Sequence, residues 1–319
     1  MLTRAHPFIL AALVGLLGLA AASGQTVQIQ TDTTALSVQE GSFATLRVRL
    51  SAAPAGTVTV TPALLSGSTE LYPCTVVRFA LWKGGDYVDF TDVALYDGQT
   101  PLSVANLVKY ITDGDYNGTF VHRSMSGFII QGGGYKLANN AIESVPADAA
   151  VPNEPKRSNL RGTIAMAKLG GNPDSATSEW FFNLADNTAN LDFQNGGFTA
   201  FGEIIAGLDT VDAIAALPTV NLGGALTDLP VHDYTEGGGV NGDHLVWVDS
   251  ASVLLSPSLT FTPANYSTWQ EMVFHAAPDD DGAADTARFQ LSGPSGAGLA
   301  AQTVTINEGD RAVGIVVNG

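Results

Sequence analysis

Cysteine is nearly absent from this 319-residue chain: there is one, Cys74. Neither an internal disulfide nor a cysteine-based zinc module can therefore hold the fold together. Basic residues are also scarce, 14 against 31 acidic ones, which leaves a formal charge of −17. Nucleic-acid affinity comes largely from basic side chains displacing counterions, so this composition excludes nucleic acid as a partner. Long apolar runs occur only at the start. Met1–Gly24 carries Arg4, an apolar stretch from Phe8 to Ala22, and small residues at Ala20, Ala22 and Gly24. That order is the pattern of a secretory signal peptide. Its apolar stretch falls short of the roughly 20 residues needed to span a bilayer. Cleavage is expected to leave an exported protein, periplasmic or extracellular, with no stable membrane insertion.

What is present points to β structure at both ends. Leu46, Val48 and Leu50 alternate with Arg47 and Arg49, and Val58 and Val60 with threonines. After Ser252 the same idiom returns: Leu259 and Phe261, then Ala287, Phe289 and Leu291, then Val304 and Ile306, each interleaved with polar residues. Period-two alternation rich in Val and Thr predicts half-buried strands. Residues 25–74 read as three strands and residues 252–319 as four or five, too few in either segment for an independent two-layer core. Joined, they approach the roughly 100 residues of an immunoglobulin-like sandwich. The economical expectation is one split β-sandwich interrupted by a guest domain at 75–251, which is tolerated when the guest's ends lie close together. Two small domains in series are the alternative.

The middle is glycine-rich and holds helical patterns that the flanks lack. Val104, Leu107, Val108 and Ile111 fall on one helical face behind Pro101 and ahead of Gly114. Leu208, Val211, Ile214 and Leu217 suggest a second helix, halted by Pro218. Familiar site patterns fail here. Asp113, Asp115, Asn117 and Gly118 open like an EF-hand loop, but position 12 is Ser124 where a bidentate glutamate is required. The glycines of QGGGY at 131–135 lack the lysine and hydroxyl of a phosphate loop, so close backbone packing explains them better. His122, His232 and His244 show no metal-ligand spacing, and no serine sits in a nucleophile elbow. No metal or cofactor is called for.

What remains is a constellation without a nucleophile, in which Arg123 lies among apolar residues with aromatics and amides nearby. Four blocks then become recognisable: FVHRSMSGFIIQGG at 120–133, RGTIAMAK at 161–168, NPDSATSEWFFNLADN at 172–187 and FTAFGEIIAGLDTVDAI at 198–214. Together, in this order, they resemble the cyclophilin family of peptidyl-prolyl isomerases, and the likeness extends from 76 to 250. The resemblance implies a mainly β guest, a closed eight-stranded antiparallel barrel with two capping helices and neighbouring first and last strands. The flanks resemble the Calx-beta-like sandwich repeats of bacterial surface proteins. Some of those bind calcium, which makes Asp279, Asp280, Asp281 and Asp285 candidate oxygen ligands, against the plainer reading of a solvated acidic turn.

The resemblance also assigns roles. Arg123 matches the catalytic arginine, and Gln131 the polar group holding the substrate carbonyl. Phe128, Ile129, Phe181 and Leu191 match the proline pocket, while Ala167 and Lys168 match the peptide groove, whose backbone would clasp an extended substrate. Glu179 and Phe198 fall at further substrate-binding positions. Departures accompany the match. Ile129 stands where many members carry methionine, Glu179 replaces glutamine, and Trp180 replaces the first of an aromatic pair. A carboxylate at 179 is expected to pair with Arg123, competing with substrate or orienting the guanidinium. Asn190 and Phe198 replace a tryptophan and a histidine of many eukaryotic members, which implies weak cyclosporin binding. The expected partners are proline-containing peptides or unfolded exported proteins. The alternative is a non-catalytic module that binds proline segments or serves surface adhesion.

Overall fold

Alternation in the flanks becomes pleat. A computed structural model describes residues 26–82, 88–139, 141–277 and 283–309. Along the strand Phe43–Leu50, Leu46, Val48 and Leu50 are buried while the arginines between them face outward. Ala287, Phe289 and Leu291 do the same on Thr286–Ser292. Successive side chains of a strand point to opposite faces, so each segment offers one apolar face.

Those faces belong to two five-stranded sheets, and each sheet draws strands from both ends of the chain. One runs Leu299–Ala300, Val27–Thr31, Phe43–Leu50, Gln270–Ala276, Leu71–Cys74. The other runs Leu259–Phe261, Val58–Gly67, Thr286–Ser292, Gln302–Gly309, Ala35–Gln39. Met272 sits opposite Leu46 in the first, and Phe289 opposite Val304 in the second. A single core joins them, including Val48, Val60, Phe261, Phe274, Phe289 and Ile306. The rings of Phe274 and Phe289, one from each sheet, meet at 5.1 Å. The first flank holds five strands among the described residues, against the expected three, because Ala35–Gln39 and Leu71–Cys74 are too short to show an alternation. Met1–Gly24, Asp279, Asp280, Asp281 and the final residues lie outside the described residues.

The middle of the chain builds an eleven-stranded antiparallel sheet among the described residues. Within it, Val76–Trp82 pairs with Trp247–Leu255 on one side and Val88–Leu95 on the other. Beyond Val88–Leu95 follow Ala200–Ala206, Thr163–Met166, Trp180–Asn183, Ile129–Gly132 and Arg123–Met125. The backbone from 119 to 125 supplies a strand to two distant parts of this curled sheet. Thr119 pairs with Val248, Val121 N donates to Val246 O at 2.9 Å, and Arg123 pairs with Gln131. Phe79, Leu95, Ile130, Ile164, Trp180, Phe182, Phe201 and Val248 fill the interior.

Helix α1, Pro101–Thr112, covers this core with Val104, Leu107 and Ile111. Proline at its start requires no lost hydrogen bond, since the first N–H groups of a helix have no partner. Helix α2 is a single turn, Thr188–Leu191. Helix α3, Leu208–Ala215, contributes Val211 and Ile214 and stops before Pro218, as its sequence implies.

Tyr72, Cys74, Val76, Ala94, Tyr96 and Val273 form a smaller cluster where flank and middle meet. Cys74 is fully buried there, and burial pushes its thiol well above the usual range. Buried His275 directs Nδ1 at Tyr72 Oη, 2.9 Å away, and Nε2 at Glu203 Oε1, 2.8 Å away. The middle sheet does not end at the expected boundary of 251: Trp247–Leu255 remains paired until Leu255 faces Val76. A register shift between Val253 and Leu255 carries the pairing past the change in sequence character.

Candidate active site

The strands that fill the interior with one face build a second apolar surface with the other. On Ile129–Gly132, Ile130 turns inward while Ile129 and Gln131 turn away; on Trp180–Asn183, Trp180 and Phe182 turn inward and Phe181 away. Ala165 and Ala200 follow the same rule beside Ile164 and Phe201. The outward set forms its own cluster of Ile129, Ala165, Phe181, Leu191 and Ala200, rimmed by Phe128, Ala167 and Phe198. Phe181 and Phe198 meet edge to face at 5.8 Å. Sites that bind small groups are mostly apolar with a few polar groups placed at them, which is the composition of this cluster and its rim.

Arg123 and Gln131 supply that edge. They face each other directly in register, so both project from the same side of the sheet. Arg123 Nη1 donates to Gln131 Oε1 at 3.4 Å, and Nη2 contacts Met125 Sδ at 2.8 Å. The side chain is 36% exposed, and its nearest carboxylate oxygen is Asp228 Oδ2, 3.7 Å from Nε. Asp228 is held in place through its own carbonyl, which accepts from Ser124 N at 2.7 Å. An ion pair this long and this exposed is weak, so the guanidinium keeps its charge available.

Glu179 does not pair with Arg123 as the sequence suggests. Its Oε2 accepts from Gln131 Nε2 at 2.6 Å and lies 3.5 Å from His122 Nε2. Burial disfavours its charge, but hydrogen bonding and charge from His122, with the hydrogen bond from Gln131, hold its pKa below the ordinary value. Three glycines make this packing possible. A Cβ at Gly132 would fall 2.7 Å from the Trp180 ring, one at Gly133 2.5 Å from Ser178 O, and one at Gly134 2.9 Å from Glu179 Cδ. The run therefore serves close packing, not phosphate binding.

Lys168 is bound into the protein. Its Nζ donates to Asn195 O at 2.9 Å and to Gly197 O, and lies 4.7 Å from the centre of the Phe198 ring. Desolvation lowers its pKa, partly offset by Asp174. Ala167 N donates to Glu179 O at 2.9 Å, so that N–H is not what would grip a substrate. On the opposite wall, Phe128 O accepts from Leu184 N and from Asn187 Nδ2, both at 2.9 Å. Asn187 in turn donates to Asn183 Oδ1 at 2.7 Å. Asp228, His122 and these asparagines were not found by sequence reasoning. The asparagines at 183 and 187 within NLADN carried a turn signal, whereas Asp228 is too far along the chain to be associated with Arg123. No cluster of side chains among the described residues is arranged to hold a metal ion.

The family model for cyclophilin type peptidyl-prolyl cis-trans isomerase/CLD matches residues 89–235. A peptidyl-prolyl cis-trans isomerase of Acinetobacter baylyi is 42% identical over 135 residues, covering 41% of this chain and 70% of that protein. Peptidyl-prolyl cis-trans isomerase B of Escherichia coli is 33% identical over 147 residues, covering 44% and 87%. The chain belongs to the cyclophilin family. A solved cyclophilin from Cryptosporidium parvum aligns over 58% of this chain and 99% of its own, with 20% identity and a TM-score of 0.42. By its family and its curated relatives this cyclophilin is an enzyme of the peptidyl-prolyl isomerase type, and residues 89–235 contain every position named above for the site.

Proposed function

We propose that this cyclophilin isomerises X-Pro bonds by aiming Arg123 at the prolyl nitrogen while the Ile129, Phe181 and Leu191 patch holds the ring. One observation carries the reading: Arg123 and Gln131 share one face directly beside an apolar cluster separate from the core. Rotation about a peptide bond faces a barrier of ~18–20 kcal/mol because resonance must be lost. In the twisted transition state the prolyl nitrogen regains a lone pair, so a donor placed there binds the transition state better than the planar ground state. Arginine does this without giving up its proton. Gln131 holds the substrate carbonyl, and Phe128, Ala167 and Phe198 border the peptide. No covalent intermediate forms. Glu179 engages Gln131 and not the guanidinium, which favours catalysis over a purely binding module.

Counting the 119–125 backbone once and leaving out the Tyr135–Ala138 and Ala141–Ser144 hairpin, eight strands of the middle region read as a closed barrel, because that backbone pairs with Trp247–Leu255 at one end of the series and with Ile129–Gly132 at the other. Strands from both flanks share one core, which supports a single sandwich split by this barrel. The leader-like Met1–Gly24 makes exported proteins the substrates, and no helix among the described residues is long and apolar enough to cross a membrane. In a protease-coupled proline-peptide assay the full chain should accelerate isomerisation, and Arg123→Ala should lose about 10²–10³-fold in kcat/KM. No acceleration by the wild-type protein would overturn the reading.

A further inference from the structure

The carboxylate of Glu179 has a role that its position in the motif does not supply. A carboxylate only accepts hydrogen bonds and a guanidinium only donates them, whereas a carboxamide does both. Gln131 stands between the two, with Nε2 on Glu179 at 2.6 Å and Oε1 facing Arg123 Nη1 at 3.4 Å. Both neighbours thus dictate the same orientation of the amide, and both bonds involve a charged group. Bonds to charged groups are stronger than neutral ones; the one to Glu179 is short at 2.6 Å, whereas the one from Arg123 is long at 3.4 Å, so Glu179 holds the amide the more firmly. With glutamine at 179 the second constraint would vanish, because that side chain accommodates either face of its neighbour.

Glu179 is itself confined. His122, almost fully buried, lies 3.5 Å from it, and Gly134 leaves room against Cδ that any side chain would fill. The ionisable groups around it are His122 and, against the His122 ring at 4.9 Å, Tyr135; Arg123 and Asp228 lie beyond Gln131. We infer that Glu179 is a positioning residue, whose negative charge locks Gln131 and through it Arg123. The role rests on the isomerase reading, but its structural half does not.

The test uses the full chain, comparing wild type with Glu179→Gln and His122→Asn. Isomerisation of a proline peptide is followed against pH by exchange NMR, and the side-chain amide of Gln131 by its own proton–nitrogen signals. Wild type should lose activity at acid pH, at a midpoint below that of an ordinary glutamate, as protonation removes the charge that strengthens the bond from Gln131 and adds a competing donor. In Glu179→Gln the acid limb should be absent and kcat reduced about fivefold, with KM nearly unchanged. In His122→Asn the limb should move to higher pH, because the charge and hydrogen bond that favour the carboxylate are gone. The Gln131 amide signals should titrate with the same midpoint in wild type and not in Glu179→Gln. An acid limb that persists in Glu179→Gln, or that disappears in His122→Asn, would overturn the proposal, as would Gln131 signals indifferent to pH. If the protein proved inactive, the Gln131 titration would still decide whether Glu179 holds the amide.

Discussion

Arg123 is half-exposed, bonded to an amide and only loosely paired with Asp228. That balance suits a group that must meet a passing substrate while remaining charged. Lys168 shows the opposite strategy. Its ammonium donates to two carbonyls of the 194–197 turn and lies over the Phe198 ring, so it ties Phe198 to that turn. Lys168→Met should therefore loosen Phe198 and raise KM about three- to tenfold with little change in kcat, the loss of one or two hydrogen bonds to a charged group. Steady-state kinetics on a proline peptide separates the two constants. At this scale the motif blocks revealed much: Arg123, Gln131, Phe128, Ile129, Phe181, Leu191 and Phe198 all lie at the site. Ala167 and Glu179 lie beside them, Ala167 N bonded to Glu179 O and the Glu179 carboxylate to Gln131. The direction in which a side chain turns was not visible, since Glu179 choosing Gln131 over Arg123 depends on the space left by Gly134.

At the level of elements, tight junctions are made by residues that sequence patterns ignore. Both helices of useful length could be read from their apolar spacing and their prolines. Strands could be read where alternation ran long enough, as in Phe43–Leu50, and were missed where only four or five residues pair. The glycine run at 132–134 is a packing device between two strands, so Gly132→Ala should drive a methyl into the Trp180 ring and destabilise by about 1–3 kcal/mol, measured by urea unfolding. Asp97 marks the other junction. It accepts from Thr75 N and Oγ1, both at 2.7 Å, next to Cys74, where flank passes into middle. Burial pushes its pKa up to about 6 despite those bonds. The folded protein therefore holds the proton between about pH 4, the ordinary aspartate value, and pH 6, while the unfolded chain has released it. Stability should fall as pH rises through that window, by about 3 kcal/mol, and level off above it. Comparing melting temperatures of wild type and Asp97→Asn across the window isolates this contribution, which the variant should lack.

For the molecule as a whole, the proposed arrangement places a barrel inside a sandwich, with its first and last strands as neighbours. The alternation at both ends suggests a shared sandwich, and the interleaved pairing of distant strands brings both flanks onto one core. The guest should be removable at its observed limits. Leu71–Cys74 pairs with Gln270–Ala276 and must stay with the flanks, whereas Trp247–Leu255 must leave with the middle. Joining Cys74 to Ser256 through a short linker should give a cooperatively unfolding β protein by circular dichroism; independent flanks would give an unfolded one. A core substitution such as Phe274→Ala should destabilise both flanks together, by about 3–5 kcal/mol, because its ring faces Phe289 in the opposite sheet.

The most direct test concerns Arg123 alone. Magnetisation-exchange NMR on a proline peptide reports binding and cis–trans exchange in one sample of the full chain. Arg123→Ala should still bind the peptide, since the Ile129, Phe181 and Leu191 surface is intact, while the catalysed exchange rate collapses by about two to three orders of magnitude. Equal exchange rates for the variant and the wild type would contradict the assignment of catalysis to this arginine.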